Sequence, residues 1–201
     1  MARPGDRRPV ITDQAILVLA GGGARALTHQ AVDRSLGLAV GSTSYYFRTR
    51  RDLVVATIDR IRVHSRTVFA EEALPSEEQR AVPTRDAAAA AMTRQLSLLA
   101  GPRRCDALAV FALLPEVESD AELRDQLAAA LFSRDRAAEL LSALGVAEVD
   151  SATTELIDFL NGILFGLLFG QRRSGDAANA SIGAALQRFL RSVMPGEEDA
   201  P

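Results

Sequence analysis

Apolar residues recur at helical spacing along most of the chain, and no stretch shows the strict apolar–polar alternation of a half-buried strand. Glycine and proline divide this pattern into segments, because both residues interrupt or end helices. The clearest breaks are at Gly21–Gly23, Gly37, Pro75–Pro83, Gly101-Pro102, Pro115, Gly145 and Ser174-Gly175. The pattern therefore predicts an all-α protein of about nine helices.

Three short helices are predicted within residues 10–55, followed by the start of a long fourth one. Apolar spacing over 11–19 predicts the first helix, which Gly21–Gly23 ends, and Thr28 is placed to cap the second. Gly37 falls in a tight turn before a third helix that ends near Phe47. Two short helices joined by such a turn are typical of a helix-turn-helix, so we predict a DNA-binding domain here.

A larger helical domain for ligand binding and dimerisation is predicted over 56–194. Flexible ends are predicted on both sides: a basic arm over 1–9 and a disordered acidic tail over 195–201. The charged segment Ser76–Arg80 is predicted to be a loop. Helices of the larger domain are predicted near Thr84–Leu99, Pro102–Leu114, Ala121–Leu144, Ser151–Arg173 and Asp176–Val193.

The charge is divided unevenly. Residues 1–66 contain eleven Arg and five acidic residues, a net charge of +6, whereas the remainder has a net charge of −9. The whole-chain net charge of −3 would argue against a nucleic-acid partner, but the basic N-terminal part can supply the salt-sensitive attraction that duplex binding needs. The chain contains no Lys, so every basic side chain available to a phosphate is a guanidinium.

The segment Leu27–Phe47 carries a more specific pattern. The second helix begins with a Thr, and an apolar residue follows four positions later. A Gly-Leu turn separates this helix from the third, which begins with small residues and ends with an aromatic pair. An Arg and a Leu follow at the start of the fourth helix. These features fall on Thr28, Val32, Gly37-Leu38, Gly41-Ser42-Thr43-Ser44, Tyr46-Phe47, Arg50 and Leu53. Over roughly residues 11–55 the chain resembles the tetracycline-repressor (TetR) family. Two residues depart from the family pattern: Val40 replaces a residue that is often polar or basic, and Ser44 replaces a phosphate-binding Tyr.

The resemblance implies a ligand-responsive transcriptional regulator in the cytoplasm. By family default it is a repressor that binds a palindromic operator in double-stranded DNA as a homodimer and is released by a small, largely apolar effector. The departures at Val40 and Ser44 leave an alternative open, a helical ligand-binding or scaffold protein with weak or lost DNA binding.

The candidate DNA contacts cluster on the second and third helices and the turn after them. Tyr45 and Tyr46, the only two tyrosines, are adjacent on the third helix, so one is expected to contact DNA while the other packs partly inward. Capping and helix entry are the simpler interpretations of Thr28 and Gly41. The full candidate set is Thr28, His29, Gly41, Ser42, Ser44, Tyr45, Tyr46, Arg48 and Arg50.

Apolar residues cover almost the whole circumference of Leu156–Gly170, as expected for a helix buried within the subunit and against a partner. With the last helix it predicts a two-fold four-helix interface, although both helices can also simply close the monomer core. The candidate interface residues are Leu160, Leu164, Leu167, Leu168, Ile182, Leu186 and Phe189. Candidate effector-binding residues, each equally compatible with ordinary core packing, are Met92, Leu96, Cys105, Phe111 and Phe132.

Other functions are disfavoured by composition. Two His, one Cys and no Lys leave few nucleophiles or bases, so no enzyme, cofactor or metal site is expected. The single Cys105 cannot form an internal disulfide, which fits a reducing compartment. The apolar run Leu156–Gly170 is shorter than the ~20 residues that cross a bilayer, so no membrane partner is expected.

Overall fold

A computed structural model describes residues 6–72, 83–170 and 175–194, without the side chains of 67–72, 176 and 177. Ten α-helices and no strand are found in these ranges, so the predicted all-α class is confirmed. The helices are α1 (Arg8–Gly22), α2 (His29–Ser35), α3 (Ser42–Tyr46), α4 (Arg50–Glu72), α5 (Arg85–Ala100), α6 (Arg104–Leu113), α7 (Ala121–Ala128), α8 (Arg134–Ala143), α9 (Val149–Leu168) and α10 (Asp176–Val193).

Two sequence predictions of local structure are corrected. The single helix predicted over Ala121–Leu144 is two helices, α7 and α8, because the side chain of Ser133 caps α8 by accepting a hydrogen bond from the amide of Arg136. The predicted flexible arm is shortened, since Arg8 and Pro9 already lie in the first turn of α1, where proline costs no hydrogen bond. The loop Ser76–Arg80, the tail 195–201 and residues 1–5 lie outside the described residues.

The chain divides into two compact units. Unit 1 consists of the described residues of Met1–Glu72 and Arg104–Leu131. Within it, α1 packs against α4 and α6. Ile11, Ala15 and Leu19 recur every four residues on α1 and are fully buried, which explains why this helix forms the centre of the unit. Arg60 of α4 donates hydrogen bonds of 2.6 and 2.8 Å to Asp13 of α1, which raises the pKa of Arg60 and fixes the crossing of the two helices.

Unit 2 consists of the described residues of Ala73–Arg103 and Phe132–Pro201. Within it, α5 packs against α9 and α10, and α8 packs against α9. The predicted boundary between residues 55 and 56 falls inside the continuous helix α4, and unit 1 also takes in α6 and α7. The three-helix segment therefore shares a core with helices that the sequence assigns to the second domain.

Helix α9 is 20 residues long, and its length and composition are sufficient to cross a membrane, although its apolar run was predicted to be too short. Eight of its residues are buried in the protein. Packing within a protein core is the usual reason for an apolar helix of this kind, so this observation is weak evidence for a membrane span.

Candidate nucleic-acid interface

Helices α2 and α3 and the turn between them form the predicted helix-turn-helix in unit 1. Thr28 is the N-cap of α2, and its hydroxyl oxygen accepts a 3.0 Å hydrogen bond from the amide of Ala31. Gly37 and Gly41 have φ angles of 64° and 93°, which L side chains rarely adopt. The turn therefore needs glycine at both positions, as the sequence predicts for Gly37.

A buried carboxylate holds the turn and the start of α3. Asp33 is 2% exposed and accepts hydrogen bonds from the amide of Gly41 (2.9 Å) and from the amide and hydroxyl of Thr43 (2.8 and 2.6 Å). Burial by itself would raise the pKa of Asp33, but these hydrogen bonds outweigh it, so the pKa lies below its ordinary value. Asp33 thus fixes the orientation of α3 relative to α2.

This role of Asp33 was not predicted from the sequence. One signal was available: it is an acidic residue within a basic segment, and no Arg lies three or four positions away on its helix to pair with it. An acidic side chain without such a partner, shortly before a glycine turn, is a candidate for binding backbone amides.

His29 links the start of α2 to the end of α3. Its Nε2 donates a 2.8 Å hydrogen bond to the carbonyl oxygen of Phe47. Because a carbonyl oxygen can only accept, Nε2 must carry the proton. Phe47 itself is buried. His29 therefore has a structural role within the motif, and its predicted DNA contact stays a prediction.

The exposed side of the motif is formed by the turn and α3. Val40 is 84% exposed and Tyr45 is 80% exposed. The ring of Tyr45 meets that of half-buried Tyr46 edge to face at 5.1 Å, and the guanidinium of Arg8 lies 5.8 Å from the Tyr46 ring centre. The pair thus divides as predicted, with Tyr45 turned outward. Gly41, Ser44 and Arg48 are exposed too, whereas the hydroxyl of half-buried Ser42 donates to the carbonyl of Ala39.

The guanidinium of Arg50 already has hydrogen-bond partners within unit 1. Its guanidinium donates to the carbonyl oxygens of Ala24 (2.8 Å) and Leu27 (3.3 Å) and pairs with Glu116. The side chain therefore links the start of α4 to the segment before α2. Its predicted phosphate contact stays a prediction, and Arg48 is the more accessible guanidinium of the two.

The predicted interface residues lie mostly within the protein. Six of the seven are buried, and only Phe189 is half-buried. The buried ones are Leu160, Leu164, Leu167, Leu168, Ile182 and Leu186. Their burial within one chain leaves little of their surface for a second copy, and their role in dimerisation stays a prediction.

Two apolar side chains are exposed here, Phe165 of α9 (55%) and Phe169 directly after its end (52%), and their ring centres are 5.2 Å apart. Beside them is a groove of ≈ 570 Å³ in which the rings of Phe159 and Phe189 stack at 5.2 Å. Glu155, Asp158, Gly162 and Ile163 complete its lining.

The five predicted effector-binding residues are divided between the two units. Met92, Leu96 and Phe132 are buried and belong to unit 2. Cys105 and Phe111 are half-buried and belong to unit 1. Met92 and Leu96 lie on the same helix, α5.

An all-α fold with a glycine-containing turn before a short, exposed third helix defines a protein of the helix-turn-helix class. A family model described as "Tetracyclin repressor-like, C-terminal domain" matches residues 83–195, more than half of the chain. The chain belongs to the TetR family, as its sequence resemblance implies, and has the fold of a TetR-family transcriptional regulator.

Solved structures agree with this assignment. The chain is similar to a TetR-family member from Streptomyces coelicolor A3, with 24% identity, coverage of 92% of this chain and 98% of that one, and a TM-score of 0.70. A TetR-family regulator from Rhodococcus sp. has 20% identity, coverages of 94% and 99%, and a TM-score of 0.69. The multidrug binding protein EbrR, solved with ethidium, has 25% identity, coverages of 92% and 98%, and a TM-score of 0.67. No curated protein matches the chain.

Proposed function

We propose that this protein is a cytoplasmic, ligand-responsive repressor that binds a palindromic operator as a homodimer. The observation that carries the proposal is the exposure of Val40 in the turn and of Tyr45 on α3, in a motif whose turn the buried Asp33 carboxylate holds in place. A recognition helix lies in the major groove; Tyr45 is the fourth of the five residues of α3, and Val40 lies two residues before the first of them.

The chemistry of the exposed residues suggests how a duplex is recognised. Val40 offers only methyl groups, whose partner in the major groove is the C5-methyl group of thymine. Tyr45 combines a ring that packs on sugar with a hydroxyl that donates to a phosphate or a base edge. Arg48 is exposed just after α3 and is placed to pair with a phosphate.

A homodimer through α9 and α10 is supported by the apolar side chains that one chain leaves exposed there. Phe165 and Phe169 expose half of their surface, and Gly162 on the same helix is also exposed. Exposed aromatic residues next to a groove are typical of a protein–protein contact. We propose that this face, rather than the buried leucines, meets the second copy, and that the two-fold axis matches the operator's symmetry.

An effector that releases the operator is supported by the relative EbrR, which has been solved with ethidium, malachite green and proflavin. A coupling of only ~1–3 kcal/mol between the two sites would change operator affinity about 5–150-fold. An enzymatic function is not proposed.

Selection of bound sequences from random duplex DNA tests the proposal. A palindromic consensus with an affinity that falls steeply as salt rises is expected, because phosphate contacts release counterions. The exposed Ser44, in place of a phosphate-binding Tyr, and the occupied Arg50 favour the alternative of a ligand-binding protein without DNA binding. That protein would enrich no sequence and would show no measurable salt dependence.

A further inference from the structure

Gln95 on α5 is a buried amide without a hydrogen-bond partner. Its side chain is 3% exposed, and neither Oε1 nor Nε2 has a partner in the part of the chain that the structure describes. Buried amide groups nearly always have partners, because an unpaired donor or acceptor loses the hydrogen bonds it made with water in the unfolded chain. Both ends of this amide are therefore open to a further hydrogen-bond partner.

The position of Gln95 on α5 separates it from the contact with α10. Ser97 of α5 donates to Asn179 of α10 at 2.9 Å, and a Cβ added to Gly183 of α10 would lie 3.6 Å from the Thr93 hydroxyl. Successive helical residues turn by about 100°, so Gln95 lies roughly 160° from both Thr93 and Ser97. Gln95 thus lies on a different face of α5 from the two residues that meet α10 there.

The surroundings of Gln95 on its own helix are apolar. Met92 and Leu99 lie three residues before and four residues after it, which places all three side chains on one face, and all three are buried. A small-molecule site likewise combines apolar side chains with a few polar groups that orient the ligand. Two of the residues that the sequence suggests for effector binding, Met92 and Leu96, lie on this same helix.

A ligand fits this amide better than a buried water molecule does. A buried water needs two to four polar partners. The other fully buried polar side chain among the described residues of unit 2 is Thr153, and its hydroxyl already donates to the carbonyl of Val149 at 2.6 Å. A ligand that brings its own donor and acceptor satisfies both ends of Gln95 without further protein groups.

We infer that Gln95 is the recognition residue for a neutral, largely apolar ligand that carries a carboxamide or lactam edge. Nε2 donates to the ligand carbonyl, while Oε1 accepts from the ligand N–H, so the two amides form a paired set of hydrogen bonds. The amide itself is neutral and offers no counter-charge to a charged ligand, whose burial would be costly. This inference rests on the proposed ligand-sensing function and assigns its specificity.

The test uses three amides and their hydrocarbon counterparts: benzamide with toluene, 2-naphthamide with 2-methylnaphthalene, and ε-caprolactam with cycloheptane. Each is titrated into the full-length protein with ¹⁵N-labelled glutamine side chains, and the Gln95 NH₂ resonance is assigned by its absence in Gln95→Met. Gln187→Met is the matched control, because Gln187 is not buried and its Nε2 donates to Asp86 at 3.0 Å.

At least one amide is expected to bind about tenfold more tightly than its hydrocarbon and to shift the Gln95 resonance. Gln95→Met should remove that preference and leave hydrocarbon binding unchanged, while Gln187→Met changes neither. Because methionine is similar in size and leaves no unpaired amide, Gln95→Met should melt no lower than the wild type. The inference is overturned if no amide binds, if amides and hydrocarbons bind equally, or if the preference survives in Gln95→Met.

Operator binding of the same samples separates this inference from the proposed function. Gln95→Met should bind selected duplex DNA with wild-type affinity in the absence of ligand. Ligand preference without any DNA binding would contradict the repressor and leave the Gln95 site standing. DNA binding without a preference for amide ligands would contradict the Gln95 site and leave the repressor function standing.

Discussion

The carboxylate of Asp33 receives hydrogen bonds from both the amide and the hydroxyl of Thr43, at 2.8 and 2.6 Å. This contact joins the middle of α2 to the first turn of α3, ten residues away along the chain. A short helix of five residues has little stability of its own, so the position of α3 depends on such tertiary contacts.

Replacing Asp33 should destabilise unit 1 and weaken DNA binding. Asp33→Asn presents an NH₂ group to backbone amides and loses charge-assisted hydrogen bonds, so the free energy of unfolding should fall by about 2–3 kcal/mol in urea unfolding. Thr43→Val removes only the hydroxyl bond and should cost about 1 kcal/mol. Equal, negligible costs for both variants would show that the carboxylate does not hold the turn.

The contribution of the Asp33 carboxylate to stability should depend on pH. Because the pKa of Asp33 is lowered in the folded protein, its contribution is complete at neutral pH and is lost as the pH falls through the folded-state pKa. The stability difference between the wild type and Asp33→Asn should therefore narrow below about pH 4. Urea titrations over this range measure it, and a difference that widens in acid would contradict the assigned direction.

Val40 is expected to recognise a thymine methyl group. In the selected operator, replacing one thymine per half-site by deoxyuridine should weaken wild-type binding about fourfold per contact, from about 0.8 kcal/mol for one buried methyl group. The same replacement should cost nothing in Val40→Gly, which has no side chain to make the contact. If no thymine is sensitive, or if the sensitivity persists in Val40→Gly, the assigned contact is wrong.

Replacing Arg48 and replacing Arg50 should have different effects on the salt dependence of operator affinity. Arg48→Ala should reduce the slope of log affinity against log salt by about 1.8, because a dimer loses one phosphate contact in each half-site. Arg50→Ala should leave the slope unchanged but lower stability by about 1–3 kcal/mol, since the guanidinium of Arg50 bonds to Ala24, Leu27 and Glu116. A reduced slope in Arg50→Ala would restore it as a phosphate contact.

Phe165 should be required for the dimer. Phe165→Arg removes two symmetry-related aromatic contacts of about 1.5–3 kcal/mol each, so the dissociation constant of the dimer should rise at least about a hundredfold in sedimentation equilibrium. Leu17→Arg is the matched control, because Leu17 is a half-exposed apolar residue on α1 of unit 1. A Phe165→Arg protein that remains dimeric would place the interface elsewhere.

Periodicity and glycine placement predicted most of the fold from the sequence. The turn at Gly37 was predictable because only glycine adopts its positive φ without strain. The break between α7 and α8 was not, since it contains neither glycine nor proline and depends on the cap at Ser133. Sequence patterns indicate which residues favour a helix. They do not show whether a Ser side chain will cap a helix, because the same side chain can form several other local hydrogen bonds with the backbone.

The candidate site was predicted less completely. Tyr45 was identifiable as an outward residue, but Asp33 and His29 act through contacts with the turn and with Phe47 that form only in three dimensions. A helix that is apolar on all sides does not reveal which side faces its own core. Leu160 and Leu164 were therefore assigned to the interface, although Phe165 is the exposed residue.

A repressor of this kind requires α3 to present its exposed residues to a duplex. The most direct measurement is the affinity of wild type and Tyr45→Ala for the selected operator across a salt series. The wild type should bind and lose affinity by about 10³–10⁵ between about 50 and 200 mM salt if it makes six to ten phosphate contacts. Tyr45→Ala should bind more weakly at every salt concentration. Undiminished operator binding by Tyr45→Ala, or a wild type that selects no operator, would contradict this role of α3.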